Sequence, residues 1–185
     1  MDILEKIPEN ATEIERDLLA EVFQAYPFTI ENLNKLQRLS IKIIDDNMPF
    51  KPHIENWDEV MRKFDEEPLP GGAYLHRQHL LLLRRPLDHH LIAHEYAHAI
   101  DQALDYPSNS EHFKHLYKSG KKAISHDAYF STTEWFAENL AAQAGWTQNG
   151  LIGEDSRRLL RETEPHAVDA FIDLMQNQRI KNISR

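Results

Sequence analysis

A chain of 185 residues with 41% hydrophobic and 9% aromatic content is long enough for one domain with a real core and too apolar for disorder. Its net charge of −9, from 21 basic and 30 acidic residues with no dense Lys/Arg block, argues against nucleic acid or an anionic membrane surface as partner. With no cysteine, disulfides, thiolate metal sites and thiol nucleophiles are excluded.

The first ten residues carry no charged-then-apolar signal pattern, and no apolar run approaches the length of a membrane span. The expectation is a soluble protein, either cytoplasmic or secreted by a route without a visible signal peptide. Residues 1–185 are read as a single domain, with the helix at about 11–27 either part of it or a small appendage.

Thr12-x-x-Glu15 is a capping box, and Ile14, Leu18, Leu19, Val22, Phe23 and Tyr26 form an apolar stripe behind it, ended by Pro27. Leu33, Leu36 and Leu39 mark a second, short helix, and Ile41 to Ile44 a short strand closed by Asp45-Asp46-Asn47. After the Pro49 to Pro52 loop, Trp57, Val60, Met61 and Phe64 suggest a third helix. Pro68-Leu69-Pro70-Gly71-Gly72 is a strong turn. Ala73–Leu75 and His79–Leu83 then read as two strands joined across His76-Arg77-Gln78. A peptide is expected to lie extended along the Leu80–Leu83 strand by β-augmentation, if that strand is an edge.

Next comes His94-Glu95-Tyr96-Ala97-His98. A helix turns about 100° per residue, so the two histidines stand on successive turns of one face and can aim two imidazoles at one cation. Glu95 lies beside the first of them, where its carboxylate reaches a metal-bound water rather than the metal. That is the need of a zinc hydrolase. A chain holding 11 histidines meets H-E-x-x-H by chance in on the order of 1 in 20 shuffles, so the context has to carry the motif. Asp88 is a good N-cap, and Leu91, Ile92, Tyr96, Ala99, Ile100 and Leu104 recur at helical spacing. The helix is therefore mostly buried, and two buried imidazoles need partners.

Ser108-x-x-Glu111 and Ser131-x-x-Glu134 read as caps of two further helices, closed by Gly120 and Gly145. Two more follow from Glu154, divided near Pro165. The metzincin continuation fails, since Asp101 and Leu104 stand where Gly and His are required. A glutamate from a later helix is the other solution, and Glu134 and Glu138, one turn apart, are the candidates. Either can be the ligand with its neighbour bonded to a ligating imidazole; Glu134 also competes for duty as the capping-box carboxylate.

The stretch His94 to Asp101, followed by Thr133-Glu134-Trp135-Phe136-Ala137-Glu138, resembles the anthrax lethal factor type of zinc metallopeptidase, a family that includes the secreted Pro-Pro endopeptidases. Weaker likeness extends to the Ile41–Ile44 strand, the Gly-x-Tyr hairpin and the Pro165…Phe171-Ile172-Asp173 helix, covering roughly residues 30–180. Ala97 stands where the family often has Gly, and Tyr129 lies closer to Glu134 than the family tyrosine usually does. The resemblance implies an α+β, zincin-like fold, mostly helical, with a small mixed sheet whose edge strand precedes the zinc helix. It implies Zn2+ on His94, His98 and Glu134, Glu95 as general base, and Glu138 and Asp101 as outer carboxylates. Tyr129 or His126 is the implied oxyanion partner. The function implied is endopeptidase hydrolysis of a protein or peptide substrate. The rival expectations are a catalytically silent zincin-like binding module or effector domain, and a purely structural zinc site.

Overall fold

Thr12 accepts a hydrogen bond from the Glu15 amide while the Glu15 carboxylate returns to the Thr12 amide, closing both halves of a capping box. The helix so started, α1 (Glu13–Ala25), buries Leu19, Val22 and Phe23. Ile14 departs from the predicted stripe and is 73% exposed, because the buried face runs through Glu15 and Leu19 and Ile14 is rotated about 100° from it. The computed structural model describes residues 3–26, 34–49, 53, 71–122 and 124–183. The helix expected around Trp57, Val60, Met61 and Phe64 lies outside the described residues, as do Leu33 and the Pro68–Pro70 part of the turn. The short helix around Leu36 is a 3-10 turn, Asn34–Arg38, with Leu36 and Leu39 buried beneath it.

Three strands form one sheet: β1 (Ser40–Ile44), β2 (Gly72–Leu75) and β3 (Leu80–Arg84), in the order β1-β3-β2. β1 runs parallel to β3 with Ile41 beside Leu81, and β2 runs antiparallel with Tyr74 beside Leu81. The sheet is thus small and mixed, as expected. Its edges are not where the leucine run suggested. β3 is central, its backbone bonded on both sides and Leu81, Leu82 and Leu83 fully buried, so Leu80–Leu83 cannot take a peptide by strand addition. The strand beside β3 on the helix side is β2.

Arg85 leaves β3 into a three-way tie: it bonds Glu15 at 2.7 Å, Asp45 at 2.7 Å and the Asn10 carbonyl at 2.9 Å. Four residues later α2 (His89–Ala103) begins, its N-cap Asp88 accepting from the Leu91 amide at 2.8 Å. Ile92, Tyr96 and Ile100 are fully buried, and Tyr96 meets Phe23 at 4.7 Å and Tyr26 at 5.2 Å between ring centroids. α1 therefore packs into the same core as α2.

α3 (Glu111–Ser119) is capped by Ser110, not Ser108, whose side chain is drawn into the interior by Asp101. α4 (Thr132–Ala144) lies against α2, and stops at Gly145, whose φ of 126° suits a residue without Cβ. α5 (Gly153–Thr163) and α6 (Pro165–Ile183) close the chain, with Phe171 of α6 packing on Phe136 at 5.1 Å and Phe113 at 5.6 Å. The result is a mostly helical α+β architecture. No helix among the described residues is long and apolar enough to cross a membrane.

Candidate metal centre

Ser131 caps α4 by accepting from the Glu134 amide at 3.1 Å, but the Glu134 carboxylate does not return to complete a capping box. It turns to α2 instead. Its Oε2 lies 3.1 Å from His94 Nε2 and 3.4 Å from His98 Nε2, and the two imidazole nitrogens are 3.1 Å apart. Three donors, N, N and O, converge and could hold a metal ion. A tetrahedral ion with ligands near 2.0–2.1 Å sets its donors roughly 3.3 Å apart, so the spacing fits without rearrangement. Glu134 is one-third exposed whereas His94 and His98 are nearly buried, so the cluster opens to solvent on the Glu134 side.

Behind it, Glu138 is completely buried and stands between two histidines: His94 Nδ1 is 2.9 Å from one oxygen and His90 Nε2 is 3.0 Å from the other. His90, Glu138 and His94 form a second group with metal-ligand spacing. It shares His94 with the first, and a neutral imidazole offers one lone pair. The group that leaves His94 Nε2 facing His98 Nε2 and an exposed carboxylate is the better cation site, with Glu138 orienting the ring from the other side.

Burial opposes ionisation here, yet the facing charges prevail. Desolvation pushes His94 down, but the Glu134 and Glu138 carboxylates carry it well above its ordinary value. Desolvation likewise raises Glu138, and the bonds from His90 and His94 reverse it, holding it at about 2. Glu134 is held well below the carboxylate range by His94 and His98 against the same desolvation. Glu95 goes the other way: it is 6% exposed, and burial raises its pKa more than His94 and His98 lower it. A carboxylate biased toward binding a proton is suited to acid–base work.

β2 covers Glu95. A Cβ built on Gly72 would stand 2.9 Å from Glu95 Cγ and 3.0 Å from Leu91 Cδ1, so only glycine lets the strand approach this closely. Arg84 N–H donates to the Gly71 carbonyl, so 71, 73 and 75 face β3 and the backbone groups of Gly72 and Tyr74 face outward. The Tyr74 amide acts on Glu95 from this edge, lowering its pKa against the effect of burial. Gly72→Ala should destabilise the fold by about 1–3 kcal/mol, the usual cost of overpacking. Gly71→Ala meets only the flexible tip of Leu91 at 3.3 Å and should cost less than about 1 kcal/mol. Denaturant midpoints of the two variants check this, and equal losses would refute the close approach.

The remaining expected residues lie elsewhere. Asp101 is buried but accepts the Ser108 amide at 3.0 Å and its hydroxyl at 2.6 Å, so it braces a turn and contacts none of the donors. Tyr129 is 59% exposed, with its hydroxyl 3.4 Å from the Lys121 carbonyl. His126 packs on Phe130 and its amide bonds Gln148. Both line a surface cavity of about 360 Å³ with Lys122, Ile124 and Asn149, and no hydrogen bond, ion pair or ring contact joins them to His94, His98 or Glu134. Both belong to the short 3-10 turn Asp127–Tyr129 and its N-cap, just before α4 begins.

The structure brings in residues the sequence reading passed over. His76, in the β2–β3 turn, sets its ring against His98 at 6.5 Å and Tyr74 at 4.9 Å. Burial, then the neighbouring His98, holds its pKa down to about 4, so it is neutral at pH 7. The period-two series 72, 74, 76 in a hairpin before the helix was the available signal.

A solved structure of the Pro-Pro endopeptidase PPEP-2 from Paenibacillus alvei is similar to this chain with a TM-score of 0.64. The match covers 93% of this chain and 99% of that one at 20% sequence identity. The fold is shared. No protein-family profile matches the chain, and no curated protein matches it in sequence.

Proposed function

We propose that this chain is a single-domain zinc-dependent endopeptidase. One observation carries the reading: His94 Nε2, His98 Nε2 and Glu134 Oε2 converge on an opening beside the buried Glu95. The shared fold with a Pro-Pro endopeptidase supports it.

His94, His98 and Glu134 would hold the ion. Bound zinc supplies a Lewis acid for the carbonyl and lowers the pKa of its water to about 7. Glu95, shielded under β2, takes the proton of the attacking water and passes it to the leaving amine nitrogen. Glu138 keeps the His94 ring turned with Nε2 toward the opening. The substrate peptide would lie along β2: Gly72 N–H, Gly72 C=O and Tyr74 C=O face outward, and β2 pairs only with β3 among the described residues.

Metal analysis combined with cleavage of a casein-type substrate, with and without chelator, tests the reading. One bound zinc and chelator-sensitive cleavage are expected; a protein that takes up no zinc refutes it. The two glutamates divide the roles sharply. Glu134→Ala should lose most of the metal, whereas Glu138→Ala should lose about 10–100-fold in affinity or activity. The reverse order would move the ligand one turn along α4.

A further inference from the structure

With Tyr129 and His126 turned elsewhere, the peptidase reading lacks a protein donor for the oxygen of the scissile carbonyl. We propose that His76 is that donor, a further catalytic residue whose Nε2–H bonds the carbonyl oxygen as it gains negative charge. The assignment rests on the reading of the site as a zinc peptidase.

Residues 72, 74 and 76 follow one another along the side of the hairpin that faces α2. Gly72 lies over Leu91 and Glu95, Tyr74 reaches Gln102 with its hydroxyl, and His76 lies against His98. A peptide paired with the outer edge of β2 therefore passes Glu95 and arrives at His76.

Its orientation is fixed from behind. Gln102 Nε2 donates to the His76 carbonyl at 3.1 Å, and the same side chain accepts the Tyr74 hydroxyl. Tyr106 hydroxyl lies 3.5 Å from His76 Nδ1, and its ring centroid 5.8 Å from that of His76. A tyrosine hydroxyl that donates its hydrogen to Nδ1 leaves the imidazole proton on Nε2. Nε2 has no partner among the described residues. The donor is preset, and it is the unoccupied nitrogen.

The brace is built at a backbone cost. Asp105 and Tyr106 both have left-handed backbones, with φ of 65° and 58°, unusual for residues with side chains. Tyr106 is held there by its amide bonding the Asp101 carbonyl at 2.8 Å, while the buried Asp101 carboxylate grips Ser108 just beyond. Strain of this kind persists where the surroundings over-determine it, and it clusters at working sites. Here it delivers a tyrosine hydroxyl to His76.

The test compares zinc-loaded parent, His76→Ala and His76→Gln. Loss of one oxyanion donor typically lowers kcat by about 10²–10³. His76→Ala should show that loss with KM changed less than about threefold and one zinc retained, since the contact forms in the transition state. Glutamine keeps a side-chain N–H and should recover part of the rate. A peptide phosphonamidate, which places an anionic oxygen where the carbonyl oxygen goes, should bind His76→Ala more weakly than parent by calorimetry. Unchanged kcat, a loss confined to KM, loss of zinc, or equal damage from alanine and glutamine would each overturn the assignment. A parent that holds zinc and binds the phosphonamidate but cleaves nothing refutes the peptidase reading. Equal phosphonamidate affinity in parent and His76→Ala refutes His76 alone.

Discussion

Glu95→Gln should fold as the parent does, bind one zinc, and lose peptide hydrolysis by at least 10²–10⁴-fold, the usual worth of general acid–base catalysis. The larger end is expected, because a single carboxylate serves both proton transfers. Glutamine has the shape of the Glu95 side chain and fits the space under Gly72, where the missing Cβ leaves room for Glu95 Cγ. What it lacks is basicity. Burial raises the Glu95 pKa, so replacing the charge with an amide also removes an unfavourable desolvation and should not destabilise the fold. Metal content, thermal unfolding and cleavage rate measured together separate the cases. Equal rates in parent and variant would show the mechanism wrong. If both hold zinc and neither cleaves any peptide, the chain is a zincin-like binding module.

His94→Ala or His98→Ala should cost the protein most of its zinc and all zinc-dependent activity, since each leaves only two ligands. The fold should survive. The donors stand on α2 and α4, and those helices are held by Ile92, Tyr96, Ile100, Trp135 and Phe136, all fully buried, independently of any ion. This separates the protein from small zinc domains that unfold without metal. His94→Ala carries a second penalty: the buried Glu138 loses one of its two partners, keeping only His90. The His94 variant should therefore melt below the His98 variant, as calorimetry on metal-free samples will show. Full zinc occupancy in either variant would refute the ligand assignment.

How far the residues announced this arrangement depends on whether a feature is local. Caps and apolar periods are, so α1, α2 and α4 were legible from Thr12, Asp88 and Ser131 and from the 3.6-residue pattern behind each. That a glutamate of α4 would meet His94 and His98 was legible as a choice between Glu134 and Glu138, one turn apart, and the family resemblance named Glu134, whose carboxylate lies nearest both Nε2 atoms. Strand order was not: four leucines in a row state that β3 is buried, but burial fits a central strand and a covered edge equally well. The positions of the two expected oxyanion partners were not legible for a related reason. Nearness in sequence to Glu134 suggested Tyr129 and His126, whereas a 3-10 turn sends them to the surface. His76 comes close to the site through hairpin geometry, for which the period-two series 72, 74, 76 is the one local hint, and beside a left-handed turn at Tyr106 that has no local signature. Ser108 was mistaken for a cap because its partner, Asp101, is seven residues away and inside the protein.

The phase of α2 has a consequence for how this chain can change in length. His90, His94 and His98 occupy successive turns of one stripe, and Ile92, Tyr96 and Ile100 occupy another, locked to it by the same winding. Inserting or deleting a single residue between His90 and His98 rotates everything beyond it by about 100°. His98 would then swing away from Glu134 as Tyr96 or Ile100 swung out of the core. Point substitutions can tune ligands and packing separately, but no indel in this segment can. Length variation compatible with both folding and metal binding is confined to the loops outside it.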